Sequence, residues 1–400
     1  MPLPSIAYVV NNSSFFVSHR LPVAMSAKSS GHDIQVFSPD DDKPSITALG
    51  NLGLTWNRAH YSRKRMLPLQ AFRLFLQGWS EASKNSNTIY HLITLAPILC
   101  WGIPLRIFNR PTILAFTGLG TLFSPKAPLA LRFIRPMINI IMEWLGRGPR
   151  VRMIFQNQDD FAFAKKFFRI SPEKMILIRG SGVDSDVFPF LETYDPPKTP
   201  KFLLPARLIR EKGIEDLCQA SAILSDWGFA HSMLIAGESD PGNPLSFSSD
   251  AIDRLKAQYP HVQFLGKRND IPQLLKEVTA VAFPSTYGEG VPKALIEAAA
   301  RGIPMIAYNV PGCREIVRSG HTGILVAPGD VQALADALQS LAENKDGAEK
   351  LRQGAYRLFK ESFQSHTVAK ATLTVYQSLA DKDLATTKDK GNTAQRELST

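Results

Sequence analysis

Short runs rich in Val, Ile, Leu and Phe alternate with helical periodicity from one end of the 400-residue chain to the other. That alternation is the mark of parallel sheets covered by helices, because two parallel strands need a long crossover between them. In the first half the strand candidates are residues 6–10, 33–38, 54–57, 88–93, 112–117, 151–156 and 175–180. In the second half they are 201–206, 232–237, 262–266, 280–285, 304–309 and 323–328. Each half is expected to build one doubly wound α/β sheet. A polar, Pro-rich stretch, FLETYDPPKTP (190–200), lies between the two series and is the expected linker. The division is then 1–189, a linker, and 201–365, with 366–380 a closing helix placed to pack back on the first domain. Residues 381–400 are polar without an apolar face and are expected to be disordered.

Charge is divided unevenly. Residues 1–180 carry 22 Lys and Arg against 9 Asp and Glu, whereas the remainder carries 24 against 27. The first half therefore holds the whole basic excess, in groups such as Arg63-Lys64-Arg65, Arg132/Arg135 and Arg147/Arg150/Arg152. Such a surface is either a solvated basic face or one that meets anionic lipid or nucleic acid. No nucleic-acid-binding motif is present to favour the latter. The stretches 68–79 and 128–147 mix aromatic, aliphatic and Arg residues as interfacial helices do, but helices buried against a sheet read the same way. Three widely spaced cysteines form no zinc pattern and suit a reducing compartment. The opening residues MPLPSIAYVV lack the features of a signal peptide, and the long uncharged run between Lys84 and Arg106 is broken by Pro97 and Pro104. That run is expected to be a buried strand, turn and helix.

Open parallel sheets bind ligands beyond the carboxyl ends of their strands. After strand 201–206 the segment ARLIREKG (206–213) sets Arg207 and Lys212 in such a loop, where two cations can hold a diphosphate. After strand 280–285 the segment STYGEGVPKALIEAAARG (285–302) places Glu289 in a loop between Gly288 and Gly290, with Pro292 opening a helix. Glu289 can accept hydrogen bonds from ligand hydroxyls. Glu297, about two turns into the helix among Ala, Leu and Ile, is either a solvent-facing helix former or a carboxylate held for a partner such as vicinal ribose hydroxyls.

Residues 288–330, GEGVPKALIEAAARGIPMIAYNVPGCREIVRSGHTGILVAPGD, resemble the signature region of GT-B retaining glycosyltransferases of family 4, with a Glu-x7-Glu element at Glu289 and Glu297. GVDSDVF (182–188), ARLIREKG, LIAGES (234–239) and FLGKRNDIPQLL (264–275) follow in the order of that family. The stretches 9–39, 90–102 and 116–123 are similar to bacterial enzymes that extend polyprenyl-diphosphate-linked sugars. The resemblance implies two Rossmann-like domains facing a cleft, a UDP-sugar donor, and a polyprenyl-diphosphate-linked saccharide as acceptor. It implies a cytoplasmic protein held peripherally on the anionic cytoplasmic face of the inner membrane. Arg207 and Lys212 would hold the diphosphate, Glu289 with the backbone at Gly290 and Val291 the transferred sugar, and Glu297 the ribose. Pro292, Lys293 and Arg268 would complete the donor site.

On the acceptor side stand Ser18, His19, Arg20, His91, Thr117, Gly118 and Gly120. Many relatives have a Gly-rich loop after the first strand, where this chain has Asn11-Asn12-Ser13-Ser14, and a His where it has Thr117, so no catalytic His is carried over there. Neither cofactor nor metal is expected: Asp184-Ser185-Asp186 and Asp40-Asp41-Asp42 fit a loose Asp-x-Asp pattern, but such matches arise easily by chance. A nucleotide-sugar epimerase of the same fold and a catalytically silent subunit are the alternatives. The Glu-x7-Glu context argues against the first, and intact Arg207, Lys212, Glu289 and Glu297 argue against the second.

Overall fold

The computed structural model describes residues 3–61, 68–84, 87–119, 129–240, 242–286 and 288–380. Gly120, the Arg63-Lys64-Arg65 group and the tail 381–400 lie outside the described residues.

Two all-parallel sheets are present. The first contains β1 (Ser5–Val9), β2 (Ile34–Ser38), β3 (Thr55–Arg58), β4 (Thr88–Ile93), β5 (Thr112–Phe116), β6 (Val151–Phe155) and β7 (Met175–Leu177), in the order β3-β2-β1-β4-β5-β6-β7. The second contains β8 (Lys201–Pro205), β9 (Ser232–Ala236), β10 (Val262–Gly266), β11 (Ala280–Phe283), β12 (Met305–Tyr308) and β13 (Ile324–Val326), in the order β10-β9-β8-β11-β12-β13. Each sheet reverses its winding once, between β1 and β4 and between β8 and β11. At such a switch point adjacent loops leave in opposite directions and open a crevice. This is the GT-B architecture.

Most strands are buried on both faces, which is why they read as continuous apolar runs. Several end earlier than their apolar run. β11 stops at Phe283, since Pro284 has no N–H to extend the ladder, and so Ser285 belongs to the loop. Pro292 is the N-cap of the following helix, Lys293–Arg301, with extended ψ of 121°, and not its first helical residue. Glu297 is consequently one turn into that helix rather than two.

The first sheet has two cores. On one face Ile6, Tyr8, Ile34, Val36 and Ile89 pack with Val368, Ala369, Val375, Tyr376 and Leu379 of the helical residues 365–380. The chain thus crosses back from the second domain onto the first. Tyr8 and His91 are register partners on β1 and β4, and the Tyr376 hydroxyl lies 2.8 Å from both the Tyr8 hydroxyl and His91 Nδ1.

The linker is fastened to the second domain by the Tyr194 hydroxyl, which donates to the Thr279 carbonyl at 2.6 Å, and by a buried cation. Arg352, fully buried on the helix Lys345–Ser362, donates to the carbonyls of Leu191 and Gly302 and pairs with Glu349. Its guanidinium also stacks on Phe190 and Tyr194. Removing it takes a donor from the Leu191 carbonyl and from the buried Gly302 carbonyl and leaves a void. Arg352→Ala is expected to lower unfolding stability by about 3 kcal/mol, seen as a lower urea midpoint with unchanged slope.

Candidate functional site

β8 and β11 are neighbours, so their carboxyl-end loops meet. Arg210–Lys212 forms a 3-10 turn closed by Gly213 in the left-handed region at φ 71°. A Cβ at Gly213 would sit 2.0 Å from the carbonyl oxygen of Pro284, so only glycine lets the two loops come this close. That approach brings Lys212 Nζ to Glu289 Oε1, where it donates a hydrogen bond and forms an ion pair. Ser285 Oγ lies 3.4 Å from the same carboxylate oxygen and donates to the Glu211 carbonyl at 3.1 Å. The Lys212 ammonium stands 5.0 Å from the centre of the Phe283 ring. Arg207, half-exposed, pairs with Asp240 at 2.5 Å.

On the helix Lys293–Arg301, Lys293 Nζ reaches Glu297 at 3.4 Å, one turn apart on one face. Burial raises the pKa of Glu297, and the Lys293 charge pulls against it. Val291 is buried. Arg268 stands on the surface, paired with Asp270 at 2.5 Å. Lys212, Glu289 and Ser285 are therefore brought together directly, while Arg207, Arg268 and the Lys293–Glu297 pair each have separate partners.

In the first domain, the helix Ser13–His19 follows β1 and is capped by Asn12, whose side chain accepts from Phe15 N. His19 lies near its end, stacked on Phe15, with Nδ1 2.7 Å from the Ser18 hydroxyl. Burial pushes His19 down to about 3, and the charges of Lys293, Arg20 and Arg207 act in the same direction. Two of those three belong to the second domain, and His19 is neutral at pH 7. Arg20 is buried beside Tyr8 and Tyr376, and burial lowers it to about 10. His91 is in the core with Tyr376, its Nε2 without a partner among the described residues. Thr117 and Gly118 lie against the other domain. A Cβ at Gly290 would meet Gln156 Oε1 at 2.0 Å and the Thr117 carbonyl at 3.0 Å, and one at Gly118 would meet the Gly288 carbonyl at 3.0 Å.

Sequence reasoning passed over the residues that join the domains at this loop. Asn157 follows β6 and caps the helix Gln158–Phe167, its Oδ1 accepting from Asp160 N at 2.7 Å. The Asn157 amide hydrogens are shared between Asp160 Oδ2 (2.8 Å) and the carbonyls of Glu289 (2.9 Å) and Gly290 (3.2 Å). Asp160 Oδ2 also accepts from Leu119 N at 3.1 Å. Nearby, Glu315 of the second domain accepts from Gln158 N at 2.5 Å and pairs with Arg179 at 2.7 Å. The pattern Asn-x-x-Asp at residues 157–160 signals a helix cap; nothing in it signals the reach to residue 289. Thr94, just past β4, was also passed over: it adopts φ 74° and its hydroxyl has no partner among the described residues. Strain of that kind in a β-branched residue collects at functional sites.

The model for glycosyl transferases group 1 matches residues 192–358, which contain both β8 and β11 loops. The second domain is a glycosyl transferases group 1 domain. Among curated relatives, glycogen synthase of Mycobacterium tuberculosis is 30% identical over 50% of this chain and 48% of its own. A second, N,N'-diacetylbacillosaminyl-diphospho-undecaprenol alpha-1,3-N-acetylgalactosaminyltransferase of Campylobacter jejuni, is 24% identical over 87% of this chain and 90% of its own. The chain spans about half the length of the first relatives it matches. In structure, Anabaena HepE in complex with UDP and glucose superposes with a TM-score of 0.74 at 19% identity, over 94% of this chain and 100% of that one.

Among the described residues no three His, Cys, Asp or Glu side chains cluster as a metal site would require. What the group 1 domain does present is a cationic rim around one ion-paired carboxylate, next to a loop clasped from across the cleft. Anions can be held by the first and hydroxyls by the second.

Two outcomes are expected. Asn157→Ala removes the clasp, so amide hydrogen exchange across residues 288–292 should quicken about tenfold, the equivalent of about 1.4 kcal/mol. Burial lifts Asp160 to about 6 from an ordinary 3.8, against the pull of its bonds to Asn157 and Leu119. The folded protein therefore holds this proton more tightly than the unfolded chain does. Asp160 supports the fold below about pH 4, and that support is lost as pH rises through about 6. Asp160→Asn should then gain stability relative to the parent between pH 4 and pH 7; equal denaturation midpoint differences at both would contradict the assignment.

Proposed function

We propose that this chain is a retaining glycosyltransferase that moves a sugar, an N-acetylhexosamine in our reading, from a UDP-sugar to a polyprenyl-diphosphate-linked saccharide during polysaccharide or glycan assembly. The observation that carries the reading is the Lys212–Glu289 pair at the second domain's switch point, inside the matched glycosyl transferases group 1 region. Support for the acceptor comes from the Campylobacter relative, whose name describes a diphospho-undecaprenol substrate and whose match runs almost end to end. Support for the base comes from HepE, solved with UDP and glucose.

In this reading Arg207 and Lys212 neutralise the donor diphosphate, taking the place a metal ion would otherwise fill. An entering diphosphate draws Lys212 away from Glu289, whose oxygens then accept from sugar hydroxyls. Glu297 takes the ribose hydroxyls, its raised proton affinity offset by Lys293. The acceptor oxygen forms its bond to the anomeric carbon on the face from which the diphosphate leaves. The carbon–oxygen bond to the diphosphate breaks, and a phosphate oxygen of the leaving group receives the acceptor's proton. His19, neutral and opposite these cations, lines the acceptor side without carrying a charge. The protein's contribution is placement and electrostatic stabilisation.

The test is nucleotide release from a panel of UDP-, GDP- and ADP-sugars, with and without extracted polyprenyl-diphosphate-linked acceptors. Acceptor-dependent UDP release, unaffected by EDTA, is expected. Glu289→Gln should lower turnover about a hundredfold or more while leaving UDP affinity within a few-fold. Equal loss of both would remove Glu289 from the reaction, and nucleotide binding without any release would indicate a silent subunit.

A further inference from the structure

The outer face of the first domain presents two apolar stripes. On the helix Pro68–Lys84, Leu74, Gly78 and Ala82 are buried, and the opposite side exposes Leu69, Phe72, Leu76 and Trp79 at intervals of three and four residues. On the helix Leu129–Gly146, Phe133, Met137, Ile140 and Trp144 form a second exposed stripe with the same spacing. Phe133 is 81% exposed, Ile140 68%, Leu69 59% and Phe72 56%. Both helices pack against the one between them, Leu95–Ile107. Each stripe reaches the carboxyl-terminal end of that helix, where the Trp79 ring meets Phe108 at 5.2 Å and the Arg106 guanidinium lies over Trp144 at 5.5 Å. Soluble monomers rarely leave so many large apolar side chains together in water.

Charge says what covers them. Each stripe-bearing helix contains a single acidic residue, Glu81 or Glu143, and Glu143 is already paired with Arg147. Around them lie Arg73, Lys84, Arg106, Arg110, Arg135, Arg147 and Arg150, within a first half of net charge +13. Exposed aromatic and aliphatic residues rimmed by arginine match a bilayer interface with anionic headgroups. No helix among the described residues is long and apolar enough to cross a membrane.

We propose that this protein docks on an anionic bilayer through the paired stripes, seating Leu69, Phe72, Phe133 and Ile140 among the lipid chains. In a parallel α/β sheet a helix that follows a strand begins at that strand's carboxyl end. The amino-terminal ends of both stripe helices, with Leu69, Phe72 and Phe133, therefore lie at the same end as the cleft-lining loops. Docking in this pose sets the cleft mouth beside the membrane surface, where the diphosphate of a lipid-linked acceptor lies; that consequence alone rests on the transferase reading.

The experiment is co-sedimentation of the full chain with phosphatidylcholine vesicles, with and without about 30 mol% phosphatidylglycerol. No donor or acceptor is present, so failure of the transferase reading would not alter the result. Binding to the anionic vesicles is expected to exceed binding to the neutral ones about tenfold and to weaken in high salt. Phe133→Ser with Ile140→Ser, and separately Leu69→Ser with Phe72→Ser, should each reduce it about tenfold with melting temperature unchanged. Absent binding, or binding indifferent to both double substitutions, overturns the proposal. So does a concentration-dependent dimer in sedimentation velocity that the same substitutions abolish without any vesicle binding, which would assign the stripes to a second copy.

Discussion

Two loops from adjacent central strands meet on one ion pair, Lys212–Glu289, and much of the second domain's local design follows from keeping it. A buried ammonium is costly unless its partner is fixed in place. The loop geometry supplies that: Gly213 admits the Pro284 carbonyl, the Phe283 ring lies beside the ammonium, and Ser285 stands near the carboxylate. The pair is a resting state with stored options. A ligand that brings its own negative charge replaces Glu289 as the partner of Lys212 and frees a carboxylate positioned for neutral hydroxyls.

The same residue is held from the other side by different chemistry. The Glu289 side chain belongs to the second domain's ion pair, yet its backbone carbonyl is clasped by Asn157 of the first. The orientation of Glu289 therefore depends on both domains at once. Movement of one domain against the other would disturb the Asn157 bonds before it reached the ion pair, and so would couple closure of the cleft to the geometry of the carboxylate. Asp160 steadies the clasp by accepting from Asn157 and Leu119, and Glu315 ties the same helix start to Arg179.

All thirteen strands among the described residues were readable in advance, most of them because parallel strands covered on both sides must be apolar along their length. Their ends were not, since those depend on single residues such as Pro284 and on where the next loop departs. Lys212 and Glu289 could be singled out, each by its place after a strand. Their contact could not, because it spans 77 positions and needs the β8–β11 adjacency that only the assembled sheet provides. Asn157 looked like a helix cap, which it is, and its second task is invisible without the other domain. The stripe helices were ambiguous for a different reason: apolar residues at helical spacing look alike whether they face a core or a solvent. The sheet settles it by taking Leu74, Gly78 and Ala82 inward and leaving Leu69, Phe72, Leu76 and Trp79 outside.

The two domains also differ in how some of their cations are disposed. In the second, Arg207, Arg210, Lys212, Arg268 and Lys293 each have a carboxylate, so positive charge near the site is neutralised locally and the domain stays slightly acidic. On the outer face of the first, Arg147 pairs with Glu143, but Arg110 donates to a backbone carbonyl and Arg106 lies over an indole, contacts that position a guanidinium without cancelling its charge. Paired cations give a site that a small anion can enter by exchanging partners. Uncancelled cations spread over a face give a long-range field that a small ligand has little use for and an extended anionic surface can satisfy. The division of charge along the chain is thus a division between recognising a molecule and recognising a surface.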